Sequence, residues 1–216
     1  MIVKFIFNLL LLNININIVN GFDLCILGAS SGLGREIIYQ GLNKNNKNMK
    51  ILGLTSNPAN IKIPYRGGGL TNKDNNLLLR SHNLKITNYN DFVNYNFSNI
   101  VLTSGAQPFQ KDYSDIITKN ILNCEKLNLQ NIVLISAYGV GDSLINSNAG
   151  IKIMNNLYLQ DVYRAKNVQE KLLENYKKNN AKTNIKIFRP KALSYGTNIY
   201  SIKSRETLAK EILDIF

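Results

Sequence analysis

The chain has 216 residues, a formal net charge of +12 from 26 basic against 14 acidic residues, and 44% hydrophobic residues. That length suits one α/β domain with a buried core, and the hydrophobic and charged shares are ordinary for a soluble globular protein. The basic surface attracts anions. Its lysines are scattered, with no arginine-rich run, no zinc-ligand spacing and no aromatic-basic interleaving, so nucleic acid is not an expected partner.

Residues 1–21 are set apart as an extension. Met1-Ile2-Val3-Lys4 leads into an apolar run over 5–12, broken by Asn8, and residues 13–18 then alternate strictly between asparagine and isoleucine. The run is too short and interrupted for a stable membrane span, and no small-x-small cleavage site follows it. Three readings stand: an extension packed on the domain, a targeting segment, or a start codon placed too far upstream. The first and third together are preferred. The folded domain is expected to be single and to span 22–216.

Residues 22–27 read as a buried strand, and residues 33–42 carry Leu33, Ile37, Ile38 and Leu42 at helical spacing. A second strand covers 50–55 and closes on Ser56-Asn57-Pro58. The asparagine-rich stretch 43–48 reads as solvated loop, and the pattern fades over 59–81, where Gly67-Gly68-Gly69 cannot hold a helix. A weak third strand follows at 84–87, and a fourth at 99–104. A helix is expected over 113–127 on Ile116, Ile117, Ile121 and Leu122. Then come a fifth strand at 131–136 and a long helix at 157–175, with Val162, Val168, Leu172 and Leu173 as core candidates. A sixth strand at 184–189 is stopped by Pro190, and a last helix over 204–216 has Ser204 as N-cap. Short apolar strands alternating with helices predict a doubly wound parallel sheet, a three-layer α/β/α Rossmann fold. Its ligand crevice lies at the carboxyl ends of the strands.

The first crossover carries Gly28-Ala29-Ser30-Ser31-Gly32-Leu33-Gly34-Arg35 between a strand and a helix. That context makes it a dinucleotide site rather than a structural turn. Gly28 permits the sharp turn, Gly32 lets a pyrophosphate approach the backbone, and Gly34 lets the helix pack on the sheet. First-turn amides and the helix dipole then meet the phosphates, with Ser30 and Ser31 as hydroxyl donors. An NAD-specific site places a carboxylate at the end of the second strand. Here Thr55, Ser56 and Asn57 stand there, which favours NADP(H), with NAD as the alternative. Arg35, Lys62 or Arg66 would supply charge to a 2′-phosphate. Arg35 reads nearly as well as a solvent-facing helix residue.

These features resemble the short-chain dehydrogenase/reductase superfamily. The closer likeness is to its atypical NAD(P)H-binding branch, with biliverdin/flavin reductase-like and sugar-nucleotide epimerase-like members. The likeness is carried by residues 26–34, 132–136, 187–190 with Leu193, and Ser204-Arg205-Glu206 with Leu208-Ala209. It implies that Thr103, Ser104, Gly105 and Ala106 line the cofactor. It further implies that Ser136 faces the nicotinamide or substrate, that Lys166 reaches the nicotinamide ribose, and that Arg189-Pro190 shape the far wall. Ser136 reads equally well as a turn cap. The superfamily's Tyr-x-x-x-Lys pair is missing, because Val162 stands four residues before Lys166. Tyr163, three before it, and Tyr138, just past Ser136, are the candidate phenols, and Tyr163 reads slightly better as a packed aromatic. An acidic residue that many members carry near the third strand is replaced by the lysine of Leu84-Lys85-Ile86-Thr87.

The expected function is an NADP(H)-dependent oxidoreductase acting on a small carbonyl, flavin or quinone-like acceptor. The alternative is a non-catalytic dinucleotide sensor or scaffold. An epimerase is disfavoured, because too little chain follows Pro190 to build its substrate region. The segments 107–114 and 139–156 are the expected specificity loops, the second a candidate lid. Cys25 and Cys124 suit a reducing compartment, taken as cytoplasmic. The lone His82 cannot build a metal site, and none is expected.

Overall fold

The computed structural model describes residues 21–43, 49–61, 81–105, 111–144, 159–194 and 203–216. The expectations for residues 1–20 of the amino-terminal extension, Lys62, Arg66, Gly67–Gly69, Ala106 and the loop residues 107–110 and 145–156 lie outside those residues. Six parallel strands form one sheet: β1 (Leu24–Leu27), β2 (Ile51–Thr55), β3 (Leu84–Asn88), β4 (Asn99–Leu102), β5 (Asn131–Ile135) and β6 (Asn184–Phe188). Their order is β3-β2-β1-β4-β5-β6. This is the doubly wound Rossmann order, and its direction reverses between β1 and β4. Two short parallel pairs flank it: Gly21–Phe22 with Asn96–Phe97, and Leu193–Ser194 with Lys203–Ser204.

Among the described residues four helices cover the sheet: α1 (Gly32–Asn43), α2 (Ser114–Leu122), α3 (Gln160–Asn179) and α4 (Arg205–Leu213). Successive strand residues point to opposite faces. Leu24, Ile26, Val101 and Val133 therefore pack with Leu33, Ile37 and Ile38 of α1 and with Leu208, Ala209 and Ile212 of α4. Cys25, Leu27, Ile100, Leu102, Ile132 and Leu134 pack on the other side, with Ile121 of α2 and Leu173 of α3. β1 and β2 are buried at every position, so they read as continuous apolar runs rather than as alternation.

Two helices differ from the sequence reading. The helix expected over 113–127 ends at Leu122, and the chain turns there, with Cys124 outside it and the Leu127 N–H bonded to the Cys124 carbonyl. Ile116, part of the apolar spacing that marked this helix, is 53% exposed. The buried face of α2 is instead Ser114, Asp115, Thr118 and Ile121. The long helix α3 likewise buries Ala165, Lys166, Gln169, Glu170 and Leu173, while Val162, Val168 and Leu172 are only partly covered. The two polar faces bond to each other: Gln169 Nε2 donates to Thr118 Oγ1 at 2.8 Å, and Arg164 Nη1 pairs with Asp115 Oδ2 at 3.0 Å, while Ser114 Oγ, Asp115 Oδ1 and Gln169 Oε1 stay buried without a partner among the described residues. A buried polar side chain is tolerated when its partner is built into the facing element. The last helix ends at Leu213, short of the expected 216, but its N-cap is as expected, with Ser204 Oγ accepting from the Thr207 N–H.

Asparagine also does structural work that its abundance obscures. Asn99, Asn131 and Asn184 are register partners at the amino ends of β4, β5 and β6. Asn184 Nδ2 donates to Asn131 Oδ1 at 3.1 Å, Asn131 Nδ2 to Asn99 Oδ1 at 2.8 Å, and Asn99 Nδ2 to the Asp23 carbonyl at 2.8 Å. This ladder fixes the register of three neighbouring strands. At a net 0.5–1.5 kcal/mol per hydrogen bond, Asn131→Ala, which removes two of them, is expected to cost about 1–3 kcal/mol. Urea unfolding of that variant beside Asn43→Ala, an exposed asparagine bonded only to its own helix, measures the difference.

Candidate functional site

The site forms where β1 and β4 part. Gly28 ends β1 with φ +89, a conformation that favours glycine. A Cβ on it would lie 2.6 Å from the Ser104 amide nitrogen and 2.9 Å from Thr103 Oγ1. A Cβ on Gly34 would lie 2.3 Å from the Gly28 carbonyl oxygen. Both glycines are thus demanded by the close approach of the turn, the helix and the β4 end. Gly32 differs: it is half-buried at the start of α1 and is not among the described glycines with positive φ. The amides of Gly32 and Leu33 are first-turn donors, which lack a carbonyl one turn back.

The serines divide the work. Ser31 Oγ accepts from the Gly34 N–H at 2.9 Å and donates to Thr103 Oγ1 at 3.0 Å. Thr103 Oγ1 also lies 3.0 Å from the Leu27 and Gly28 carbonyls. Ser31 and Thr103 therefore clasp the turn to β4. Ser30 is exposed and accepts from Thr55 Oγ1 at 3.0 Å, joining the turn to the end of β2. Arg35 Nε lies 3.4 Å from the Ser31 carbonyl, which draws this side chain toward the start of α1. Ser56 and Asn57 are exposed beyond β2, and the phenol of Tyr89, just past β3, is hydrogen-bonded to Ser56. Burial pushes the Tyr89 phenol up from its ordinary range, against those hydrogen bonds. Lys85 is exposed. The acid near β3 is Asp91, whose carboxylate accepts from Thr87 Oγ1 and the Asn88 N–H and so caps the turn after the strand.

Further along the crevice, Ser104 and Ser136 end β4 and β5. Both are buried, and neither Oγ has a hydrogen-bond partner among the described residues. Lys166 reaches this region from α3, buried, with Nζ donating to the Ser104 carbonyl. A Cβ on Gly105 would sit 3.7 Å from Lys166 Cε, so the lysine stem packs beside that exposed glycine. Burial pushes Lys166 down from the usual lysine range to about 8, and the charges of Asp112 and Glu170 limit the fall. Glu170 is itself held by Arg189, through Nε at 3.0 Å and Nη2 at 2.8 Å, so the expected far-wall arginine is part of a bidentate pair. Gly141, at φ +54, crosses so close that a Cβ would lie 2.3 Å from Glu170 Oε2.

The two candidate tyrosines are joined by a side chain to backbone hydrogen bond. Tyr163 donates its hydroxyl to the Tyr138 carbonyl at 2.9 Å, and burial pushes its phenol up from the ordinary range. Lys191 Nζ lies 5.4 Å from the Tyr138 ring centre. Next to them, Phe188, Arg189, Pro190, Lys191, Lys203 and Leu208 line a cavity of about 290 Å³ at the carboxyl end of β6. A larger cavity of about 570 Å³, lined by Asn128, Leu129, Gln130 and residues 179–183, opens at the amino ends of β5 and β6, away from the glycine turn. Among the described residues no cluster of His, Cys, Asp or Glu could hold a metal ion, and no helix is long and apolar enough to cross a membrane. Sequence reasoning missed Tyr89, Asp112, Gln169 and Glu170. Only Lys166-x-x-x-Glu170 left a signal, and that spacing reads first as a solvent-facing ion pair.

No family model and no curated protein matches the chain. Solved structures do. ChuY, an anaerobillin reductase from Escherichia coli O157:H7, is 15% identical with a TM-score of 0.61, over 89% of each chain. A short-chain dehydrogenase/reductase from Veillonella parvula, in complex with NADP, is 13% identical with a TM-score of 0.60, over 91% of this chain and 86% of that one. The oxidoreductase ylbE from Lactococcus lactis is 14% identical with a TM-score of 0.58, over 89% and 84%. At these identities the likeness is one of fold.

The buried Lys166 makes stability depend on pH. Its folded value, about 8, lies below the ordinary lysine value of 10.5, so between the two the unfolded chain binds more protons and stability rises with pH. At 1.36 kcal/mol per pKa unit the rise is on the order of 3 kcal/mol. Urea unfolding from pH 7 to 10 is expected to show this upward slope relative to Lys166→Met, which lacks the titrating group.

Proposed function

We propose that this chain binds NADP(H) across the β1–β4 crevice and is an NADP(H)-dependent oxidoreductase acting on a small carbonyl, flavin or quinone-like acceptor, with NAD as the lesser cofactor. The observation that carries this is Gly32, a bare half-buried position at a helix start whose backbone does not itself require glycine. Such a position leaves room for a pyrophosphate against first-turn amides. The residues present fit the group. Gly28 and Gly34 let the turn close, Gly32 and Leu33 offer amides, and Ser30 offers an exposed hydroxyl. Ser56 and Asn57 stand where a carboxylate would repel a 2′-phosphate, and Arg35 lies at the adjacent helix start. Thr103, Ser104 and Gly105 form the wall at the end of β4.

Bound there, a nicotinamide supplies a hydride. Lys166 reaches for the ribose, and Ser136 presents an unpartnered hydroxyl to the acceptor side. Arg189, held by Glu170, keeps the wall beyond β6 rigid. The folds of an anaerobillin reductase and of an NADP complex accord with this reading. We place the protein in the reducing cytoplasm, in keeping with the free thiols of Cys25 and Cys124.

One observation favours the second reading, a dinucleotide sensor or scaffold: the Tyr163 phenol is committed to a backbone carbonyl, and no Tyr-x-x-x-Lys pair exists. Fluorescence titration of the purified chain is expected to show NADPH binding at least about tenfold tighter than NADH, a difference of about 1.4 kcal/mol. NADPH oxidation is then followed with aldehyde, flavin and quinone acceptors. Turnover that falls in Ser136→Ala with NADPH affinity intact supports the oxidoreductase. Binding without turnover supports the sensor, and no binding of either nucleotide ends both.

A further inference from the structure

We propose that Asp112 is the positioning residue of this site: its carboxylate holds the Lys166 ammonium charged beside Gly105 and so sets the upper pH limit of dinucleotide binding. The last clause rests on the cofactor reading above. The first does not.

Asp112 lies just ahead of α2 and is 4% exposed. Its Oδ1 accepts from the Ser114 N–H at 2.8 Å, and its carbonyl accepts from Arg164 Nη2 at 3.3 Å, so both backbone and carboxylate are fixed. A methyl group placed on Gly105 would lie 3.8 Å from Asp112 Oδ2 and 3.9 Å from Lys166 Nζ. The two charged ends thus flank the same glycine, at the turn expected to line the cofactor.

Three carboxylates lie on the elements around Lys166, and each has partners of its own, Asp112 included. Just past β4, among the described residues, Lys166 donates to the Ser104 carbonyl, a neutral acceptor. From its own helix it feels Glu170, but that carboxylate is engaged bidentately by Arg189. From α2 comes Asp115, which is bonded to Arg164 Nη1. A buried ammonium without a compensating anion gives up its proton. Asp112 supplies the larger of the two attractive fields on Lys166, ahead of Glu170.

The test uses the full chain labelled with ¹³C-lysine, with the Lys166 Cε–Hε resonance assigned by its loss in K166R. Its titration midpoint is expected near about 8 in the unsubstituted protein. In D112N it is expected to drop by about one unit or more, a tenfold smaller ammonium fraction above the midpoint. D112N keeps an oxygen for the Ser114 N–H, so the fold should survive. D112S, a second capping side chain, replaces it if it does not. D112E is expected to restore the midpoint, which a purely structural role would not require. NADPH titrations from pH 6 to 9 run in parallel, and the pH at which affinity falls is expected to shift down in D112N and return in D112E. An unchanged Lys166 midpoint in the charge-removing variant overturns the proposal. Failure of NADPH to bind at any pH defeats the cofactor reading instead, and leaves the resonance to decide the role of Asp112.

Discussion

The site depends on how closely three backbone segments approach one another at the end of β1. The Gly28 carbonyl sits where a Gly34 side chain would be, and the β4 end sits where a Gly28 side chain would be. Only glycine at both positions lets α1 start directly over the sheet. The clasp of Ser31 with Thr103 then locks that geometry by hydrogen bonds. With the helix start held there, its first-turn amides look into the crevice where the strand order reverses. Had the helix begun further out, the fold could persist while the anion site would not.

A second constraint governs the other half of the crevice. The facing sides of α2 and α3 are polar, and every charge buried between them needs an opposite within reach. Arg164 answers Asp115, and Arg189 answers Glu170 with two parallel bonds. Lys166 meets a carbonyl and the field of Asp112. A seam of this kind is a poor source of stability, since desolvation offsets most of the attraction. It is a precise way of fixing where an ammonium stands, which suits a group expected at the nicotinamide ribose.

Much of the fold was legible in the sequence, because its strongest signals are local. The runs LCIL, ILGLT and NIVLI are short, apolar and bounded by turn residues, and all became buried strands. The glycine turn between strand and helix was legible for the same reason. What stayed hidden depends on partners distant in sequence. Ile116 kept helical spacing but lost the core to Asp115 and Thr118, whose partners sit on α3, about fifty residues on. Asp112 and Glu170 look like solvated acids until the tertiary fold sets them near Lys166. The ladder of Asn99, Asn131 and Asn184 was masked by the abundance of asparagine, since only strand register shows that the three align. Ser31 and Thr103 were both singled out, yet their mutual bond was invisible, because 72 residues separate them.

Gly32 offers the sharpest trial, because nothing in its own backbone conformation demands glycine. Gly32→Val should therefore fold with a melting temperature near that of the unsubstituted chain while crowding the space above the first-turn amides. Fluorescence titration with NADPH on both proteins is the deciding measurement. A loss of at least about tenfold in affinity, or about 1.4 kcal/mol, is what the account predicts. Equal affinity in two equally folded proteins would contradict it.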